Sequence, residues 1–459
     1  MPLRSPRLAR LGAAACLLAL SAPSTGEANG LYSHVHMSQL AVAHLPAGEL
    51  RDLFDDPAFV IAYENGSMLP DSGYAAGDPY GEFAHWSEFR LAYIQYIKDN
   101  FGPDFDSAEA RRHIGVLLGA ASHGISDQSY DTTLLARALE IDEEDPELSP
   151  DQYADYFIVI DDDVVFTVDA DAPYATLSEV MTAASGREVA ADTIMEGMDQ
   201  AARVTRLQSD SALAGSLYWR AWETYPFLGT HVYNQATPGS LPYMSEVIAE
   251  HWQVLWRRIH DTDDVDTDLV IHTLPEDGGV NFPVSVEEAG AYGRVGIWFG
   301  YPFDRDIVGE MPTMRDASGT PVEVTHHAAY NGRFRSFLQL EPTAPLAFDT
   351  EYIVEVPAGV PTLDGRTSTE PYTFSFRTQC APGDLDACPP YEPFVTGEVP
   401  VRGGGGRDAG APPEDAGPPD AGTTTEEDSG GCSLSPRASG FAALPLIGLV
   451  LNLMWRRRR

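Results

Sequence analysis

The segment His123-Gly124-Ile125-Ser126-Asp127 places an imidazole and a carboxylate four residues apart. On a helix that step sets both side chains on one face, one turn apart, where both can reach a single cation. Asp131 extends the same face by another four residues if the helix continues. Three upstream segments carry similar chemistry. Gly30-Leu31-Tyr32-Ser33-His34 brings an imidazole close to the start of the exported chain. The turn-rich Gly66-Ser67-Met68-Leu69-Pro70-Asp71 is expected to hold its carboxylate in a loop, and Ala84-His85-Trp86 opens the next helix with an imidazole. Imidazole nitrogen together with carboxylate oxygen suits zinc.

Taken in this order and at these spacings, the early His, the Pro-Asp-Ser segment, the His-Trp pair and the Ser-His-x-x-x-Asp helix resemble the zinc-dependent phospholipase C family. Within it, the chain is similar to the N-terminal domains of glycosylphosphatidylinositol phospholipases D. The resemblance runs from Asn29 to about Asp131 and more loosely to Ile259, and the propeller repeats of those enzymes are absent. It implies an all-α domain in which His34, Asp71, His85, His123 and Asp127 are ligands of up to three zinc ions. It further implies that Asn29, as the free terminus, is a ligand, that Asp127 bridges ions and that Asp71 is the general base. The implied reaction is hydrolysis of a phospholipid or related phosphodiester. Such cleavage needs a deprotonated water and neutralisation of the charge growing on the phosphate oxygens, and a metal cluster supplies both.

The sequence departs from the family in two places. Where family members carry another His soon after the bridging Asp, this chain has Asp131, and where they carry a later His-x-x-x-acid pair it offers Asp151 and Asp155, with Asp155 the expected ligand. More oxygen ligands lower selectivity for zinc and admit manganese, magnesium or calcium. The run from Tyr156 to Val168 fits helix or strand, and a strand would spoil the Asp151 and Asp155 spacing. Two alternatives therefore stay open: a non-catalytic surface or adhesion protein that retains the fold, and a nuclease or phosphomonoesterase on the same cluster. His36, His113, His231, His251 and His260 read as structural, as do His326 and His327, which point to opposite faces of a strand.

The elements that must position these groups follow from periodicity. Helical patterns cover Phe89 to Asn100, Glu109 to Ser122, Asp192 to Leu207 and Met244 to Ile259, predicting an all-α domain over residues 29–262. The acidic stretch Asp261 to Asp268 reads as a hinge. Residues 268–379 read as short strands, including Val295 to Phe299, Phe337 to Leu340 and Tyr352 to Val356, with turns at Asp316 to Gly319 and Asp364-Gly365. They resemble the bacterial Ig-like domains, an all-β sandwich, expected here as a spacer.

Of 459 residues, 69 are acidic and 29 basic, a formal charge of −40. Such a chain repels nucleic-acid backbone and favours zwitterionic lipids or soluble phosphodiesters over anionic membranes. Arg4, Arg7 and Arg10 before the apolar Leu11 to Leu20, with small residues near Ala28, predict a signal peptide over residues 1–28. Residues 380–431 read as a disordered Pro/Gly/Asp-rich linker, with Cys380 and Cys388 close enough for a local disulfide in an exported protein. Residues 432–459, with Cys432, the apolar Phe441 to Trp455 and Arg456 to Arg459, resemble a myxobacterial sorting tail. The resemblance implies one C-terminal transmembrane helix, a sorting protease as partner and display on the cell surface.

Overall fold

A computed structural model describes residues 30–142, 149–162, 164, 166, 172–303, 312–328 and 335–381. Asn29 with the signal segment, Cys388 with the linker, and the 432–459 tail lie outside the described residues. Among the described residues no helix is long and apolar enough to cross a membrane. Cys380 is disulfide-bonded.

The long helices are α1 (Leu31–Ala41), α2 (Pro57–Ala76), α3 (Ser87–Phe101), α4 (Ala108–Tyr130), α5 (Pro150–Asp161), α6 (Tyr174–Ser185), α7 (Ala191–Gln208), α8 (Ser211–Thr224) and α9 (Leu241–Ile259). Their ends follow capping chemistry. The Asp56 carboxylate accepts from the Ala58 amide ahead of α2, Pro57 takes the first helical position, and Gly77 closes the helix at φ 67°. Ser107 accepts from the Ala110 amide to start α4.

The expected loop around Asp71 is instead the middle of α2, with Pro70 inside the helix. The small residues that made this stretch look like a turn serve helix packing. A Cβ on Gly66 would lie 2.3 Å from the Val116 carbonyl oxygen, so α2 and α4 meet backbone to backbone. The second ambiguity resolves for the part that bears on the spacing, since Pro150–Asp161 is helical and Asp151 and Asp155 stand one turn apart on α5, while residues 163, 165, 167 and 168 of the run lie outside the described residues.

The β domain has a four-stranded sheet in the order β1-β3-β7-β6 and a five-stranded sheet in the order β2-β9-β8-β4-β5. The strands are β1 (Val270–Leu274), β2 (Gly279–Phe282), β3 (Val295–Phe299), β4 (Thr313–Asp316), β5 (Pro321–Val322), β6 (Val324–Ala328), β7 (Phe337–Pro342), β8 (Glu351–Val356) and β9 (Tyr372–Thr378). Among the described residues all strand pairings are antiparallel except β2 with β9. Successive strand residues face opposite sides. Val295, Ile297, Phe299, Leu338 and Leu340 thus fill the sandwich core. The alternate residues Trp298 and Phe337 enter the core of the helical domain.

That second burial corrects the expectation of a spacer: one face of the four-stranded sheet packs on the helices. The acidic link is equally unlike a hinge, because its carboxylates are occupied. Asp263 accepts from Arg366 at 2.7 Å, Asp266 from the Thr369 amide at 2.6 Å and Asp268 from Arg257 at 2.6 Å.

Candidate metal centre

Three helices and the residue after a short turn of helix bring the candidate ligands together. α1 supplies His34, α2 supplies Asp71 and α4 supplies His123 and Asp127, while His85 directly follows the helical turn Tyr80–Ala84. His85 Nε2 lies 3.2 Å from Asp127 Oδ2 and 3.6 Å from Asp71 Oδ1. His123 Nε2 lies 3.6 Å from each of the same two carboxylates, and His34 Nε2 is 3.1 Å from Asp127 Oδ1. The His34 and His123 rings stack with centroids 3.5 Å apart.

Hydrogen bonding at the far nitrogen of each ring decides what faces the centre. His123 Nδ1 is 2.7 Å from the Ser67 carbonyl oxygen and His85 Nδ1 is 2.6 Å from that of Gly81. A carbonyl only accepts, so both Nδ1 atoms carry the proton and donate. The single hydroxyl proton of Ser126 goes to the His123 carbonyl at 3.0 Å, so Ser126 Oγ accepts from His34 Nδ1 at 3.1 Å. In the neutral rings all three Nε2 atoms therefore present bare lone pairs to one another and to two carboxylates.

Such an arrangement of acceptors is repulsive unless positive charge sits among them. His85 Nε2 and His123 Nε2 are only 2.9 Å apart. His34 Nε2, Asp71 Oδ1 and Asp127 Oδ1 are buried without an aligned hydrogen-bond donor. In the cation-free chain a proton answers the need. Burial by itself pulls the His85 imidazolium down, but its bonds to Asp127 and Asp71 prevail and push it up to about 10. His123 goes the other way, to about 3, through burial and the neighbouring His34 charge. Burial favours the neutral Asp127 carboxyl, yet His123 and His34 hold it well below the usual carboxylate range.

The ligand atoms form two overlapping groups that fit a metal ion, His34 with Asp71 and His123, and His85 with His123 and Asp127. His123 belongs to both. Nitrogen and oxygen donors of this mixture fit zinc, and also manganese or iron. Asp71 is the most solvent-accessible of the five, with 13% of its side chain exposed against 2% or less for the rest. Asp71 is therefore the candidate ligand nearest to solvent, although its Oδ1 atom, which faces the rings, is buried.

Asp131 and Asp155 are in neither group. Asp131 begins a turn of π-helix, Asp131–Leu135, at the end of α4. Asp155 sits at the start of α1, where its Oδ1 accepts from the Ser33 amide at 2.9 Å and hydroxyl at 3.0 Å and its Oδ2 from Gln208 at 3.1 Å. It gets that close because residue 30 is glycine, whose Cβ would fall 2.2 Å from the carboxylate. Burial raises Asp155 to about 6 despite these bonds. Asn29 lies outside the described residues.

The Asp155 shift has a definite sign. A carboxyl that is more basic folded than unfolded makes the native state bind the extra proton between roughly pH 4 and 6, so its contribution to stability falls as pH rises through that window. Asp155→Asn should retain the fold, since Gln208 Oε1 is without a partner and can accept from the new amide after a flip. Measured by urea unfolding in chelator, the variant should gain on the wild type by roughly 2 kcal/mol between pH 4 and pH 7. An unchanged difference across that range would contradict the assignment.

Most of the remaining histidines have local partners, whereas both ring nitrogens of His251 are buried without a hydrogen-bond partner. His36 Nε2 meets Asp162 at 3.1 Å, His113 Nδ1 shares a hydrogen bond with the Tyr93 hydroxyl at 2.8 Å, and His231 Nδ1 donates to the Phe227 carbonyl at 2.8 Å. His326 Nε2 donates to the Pro312 carbonyl at 2.7 Å, and His327 pairs with Glu341 at 3.0 Å. Sequence reasoning missed the residues that orient the ligands: Ser67, Gly81 and Ser126. Only the last left a trace, three residues after His123.

A stretch of this chain is 27% identical over 129 residues to the phosphatidylinositol-glycan-specific phospholipase D of Rattus norvegicus, covering 26% of this chain and 15% of that protein. The chain thus spans a small part of that relative's length. Among solved structures, surface layer protein SbsC, domains 1–6, aligns at 11% identity and a TM-score of 0.19 over 68% of this chain and 46% of that one. The N-terminal part of the bacterial S-layer protein SbsC aligns at 12% identity and a TM-score of 0.18, over 72% and 79%. Scores this low carry no argument about fold or role. Residues 264–378 match the family described as the bacterial Ig-like domain, and the β-sandwich is such a domain.

Proposed function

We propose that this chain is an exported, surface-anchored, metal-dependent phosphodiesterase that hydrolyses phospholipid or a related phosphate ester. One observation carries the reading: three imidazole lone pairs and two carboxylates converge on a buried point. The partial identity to a phospholipase D supports the reaction class, and the Ig-like domain supports placement at the cell surface.

His34, His85, His123, Asp71 and Asp127 would hold the metal. When bound, zinc or a similar ion lowers the pKa of a water molecule and neutralises phosphate charge. The residues supply the rest. Ser67, Gly81 and Ser126 lock the rings in the tautomer that presents Nε2. Asp71, nearest to solvent, is placed to take a proton from water entering the site. The burial of Asp127 and the three rings excludes bulk water from the other sides.

The test is elemental analysis of the purified protein, coupled to hydrolysis of phosphatidylcholine vesicles and of a chromogenic phosphodiester before and after chelation. Metal should co-purify, and chelation should abolish turnover, which added zinc restores. Absence of both bound metal and chelator-sensitive turnover would sink the proposal. Metal without turnover on any phosphate ester would favour a non-catalytic surface protein, a reading supported by the placement of Asp131 and Asp155 in neither ligand group.

A further inference from the structure

We infer that the Ig-like domain is the backing of the metal-bearing helix, holding α4 from behind so that His123 and Asp127 keep their positions. The inference rests on the metal-dependent reading above and concerns Trp298, Ser336 and Gln339 as positioning residues.

Helical geometry separates two sides of α4. At 100° per residue, Asp127 lies about 40° around from His123, whereas Gln128 and Ser129 lie about 140° and 240° around. The ligands therefore face the centre, and the next two residues face away from it. What they face is the four-stranded sheet. Trp298 Nε1 of β3 donates to Ser129 Oγ at 2.6 Å, and Ser129 Oγ donates in turn to the Ile125 carbonyl at 2.8 Å. Gln128 Oε1 accepts from the Ser336 amide at 3.2 Å while its Nε2 donates to the Gly124 carbonyl at 2.6 Å. Gln128, Ser129 and Trp298 are fully buried, so water does not compete for these bonds.

A third contact falls where the helix changes pitch. In the π turn Asp131–Leu135 the ordinary i to i+4 ladder is interrupted. Gln339 Nε2 of β7 donates to the Thr132 carbonyl there, at 3.3 Å. The sheet thus grips α4 over the turn that follows Asp127. A fourth line runs through Arg90, whose guanidinium donates to Ser87 at 2.8 Å and reaches Ser336 at 3.4 Å. The same guanidinium packs on Gly124, where a Cβ would lie 2.3 Å from Nη1. Partners that orient ligands from outside the coordination shell are worth about 10- to 100-fold in metal affinity.

The experiment uses the full chain. Trp298→Phe removes the indole N–H while keeping an aromatic ring in place, and Gln128→Met keeps the side chain's length while removing both hydrogen bonds of its amide. Zinc affinity is measured by competition with a chromogenic chelator at a temperature where circular dichroism shows every variant folded. Arg377→Ala, in an exposed pair with Asp349 on the far sheet, is the control. The double variant should bind zinc about tenfold more weakly or worse, with the control unchanged. Affinity within about twofold of wild type, accompanied only by a lower melting temperature, would overturn the inference. Absence of zinc binding by the wild type would remove the metal reading itself and this inference with it. If the variants fail to fold, amide exchange in the wild type decides. Co-protection of residues 124–132, at the end of α4 and in its π turn, with β7 supports the backing role, and independent opening of the two overturns it.

Discussion

His123→Ala should abolish both metal binding and turnover. His123 is common to the two ligand groups, so its loss leaves His34 with Asp71 in one and His85 with Asp127 in the other, each a pair. Two ligands do not hold a catalytic ion that ordinarily needs three protein donors. We expect no metal retained after desalting and a fall in turnover of roughly 1000-fold or more, about 4 kcal/mol of barrier. His85→Ala is a graded comparison, because it leaves the group of His34, Asp71 and His123 whole. It should keep some metal where His123→Ala keeps none. His326→Ala, whose ring bonds to the Pro312 carbonyl in the Ig-like domain, should change neither quantity. Equal metal content in His123→Ala and the wild type would contradict the centre as assigned.

The largest stability effect is expected from a single methyl group. Gly119→Ala on α4 is favourable by helix propensity, by about 1 kcal/mol. Tertiary structure reverses that sign. The added Cβ would fall 2.0 Å from the Tyr63 carbonyl oxygen and 2.5 Å from the Ser67 amide nitrogen, both backbone atoms of α2 that no side-chain rotation can clear. The helices must part, at a cost of about 3 kcal/mol or more, the upper range for overpacking. Their separation also stretches the bond from His123 Nδ1 to the Ser67 carbonyl, which crosses this same seam, so metal affinity should fall with stability. Gly215→Ala on α8 meets nothing within 4 Å and should stabilise by up to about 1 kcal/mol. Urea unfolding of both variants in chelator measures the two signs. Stabilisation by Gly119→Ala would show that α2 and α4 are not in backbone contact.

These two glycines show where sequence reading stops. Both lie in helices, and nothing in the local pattern distinguishes one that a neighbouring backbone requires from one that faces open space. The same limit made Gly66 to Asp71 look like a loop. Glycine, serine and proline are ordinarily turn residues, but here Gly66 and Ser67 are the close-approach surface of α2. The strands were legible because alternation of apolar residues marks burial. β3 and the first four residues of β7 exceeded that pattern, since they are buried on both faces, with Trp298 and Phe337 turned away from the sandwich.

The Ser-His-x-x-x-Asp spacing was by itself enough to put His123 and Asp127 on one helical face, because that depends only on the pitch of a helix. The resemblance to the zinc-dependent phospholipase C family implied His34, Asp71 and His85 as further ligands. Only tertiary structure decided that these five side chains meet and that each ring turns its Nε2 inward. Only it decided that Asp131 and Asp155 stand in neither group, and that an Ig-like sheet lies behind the helix. Those outcomes depend on a carbonyl, a hydroxyl, a tryptophan and a backbone amide supplied by segments 56 to 208 residues away in the chain, and spacing along one helix carries no information about such partners.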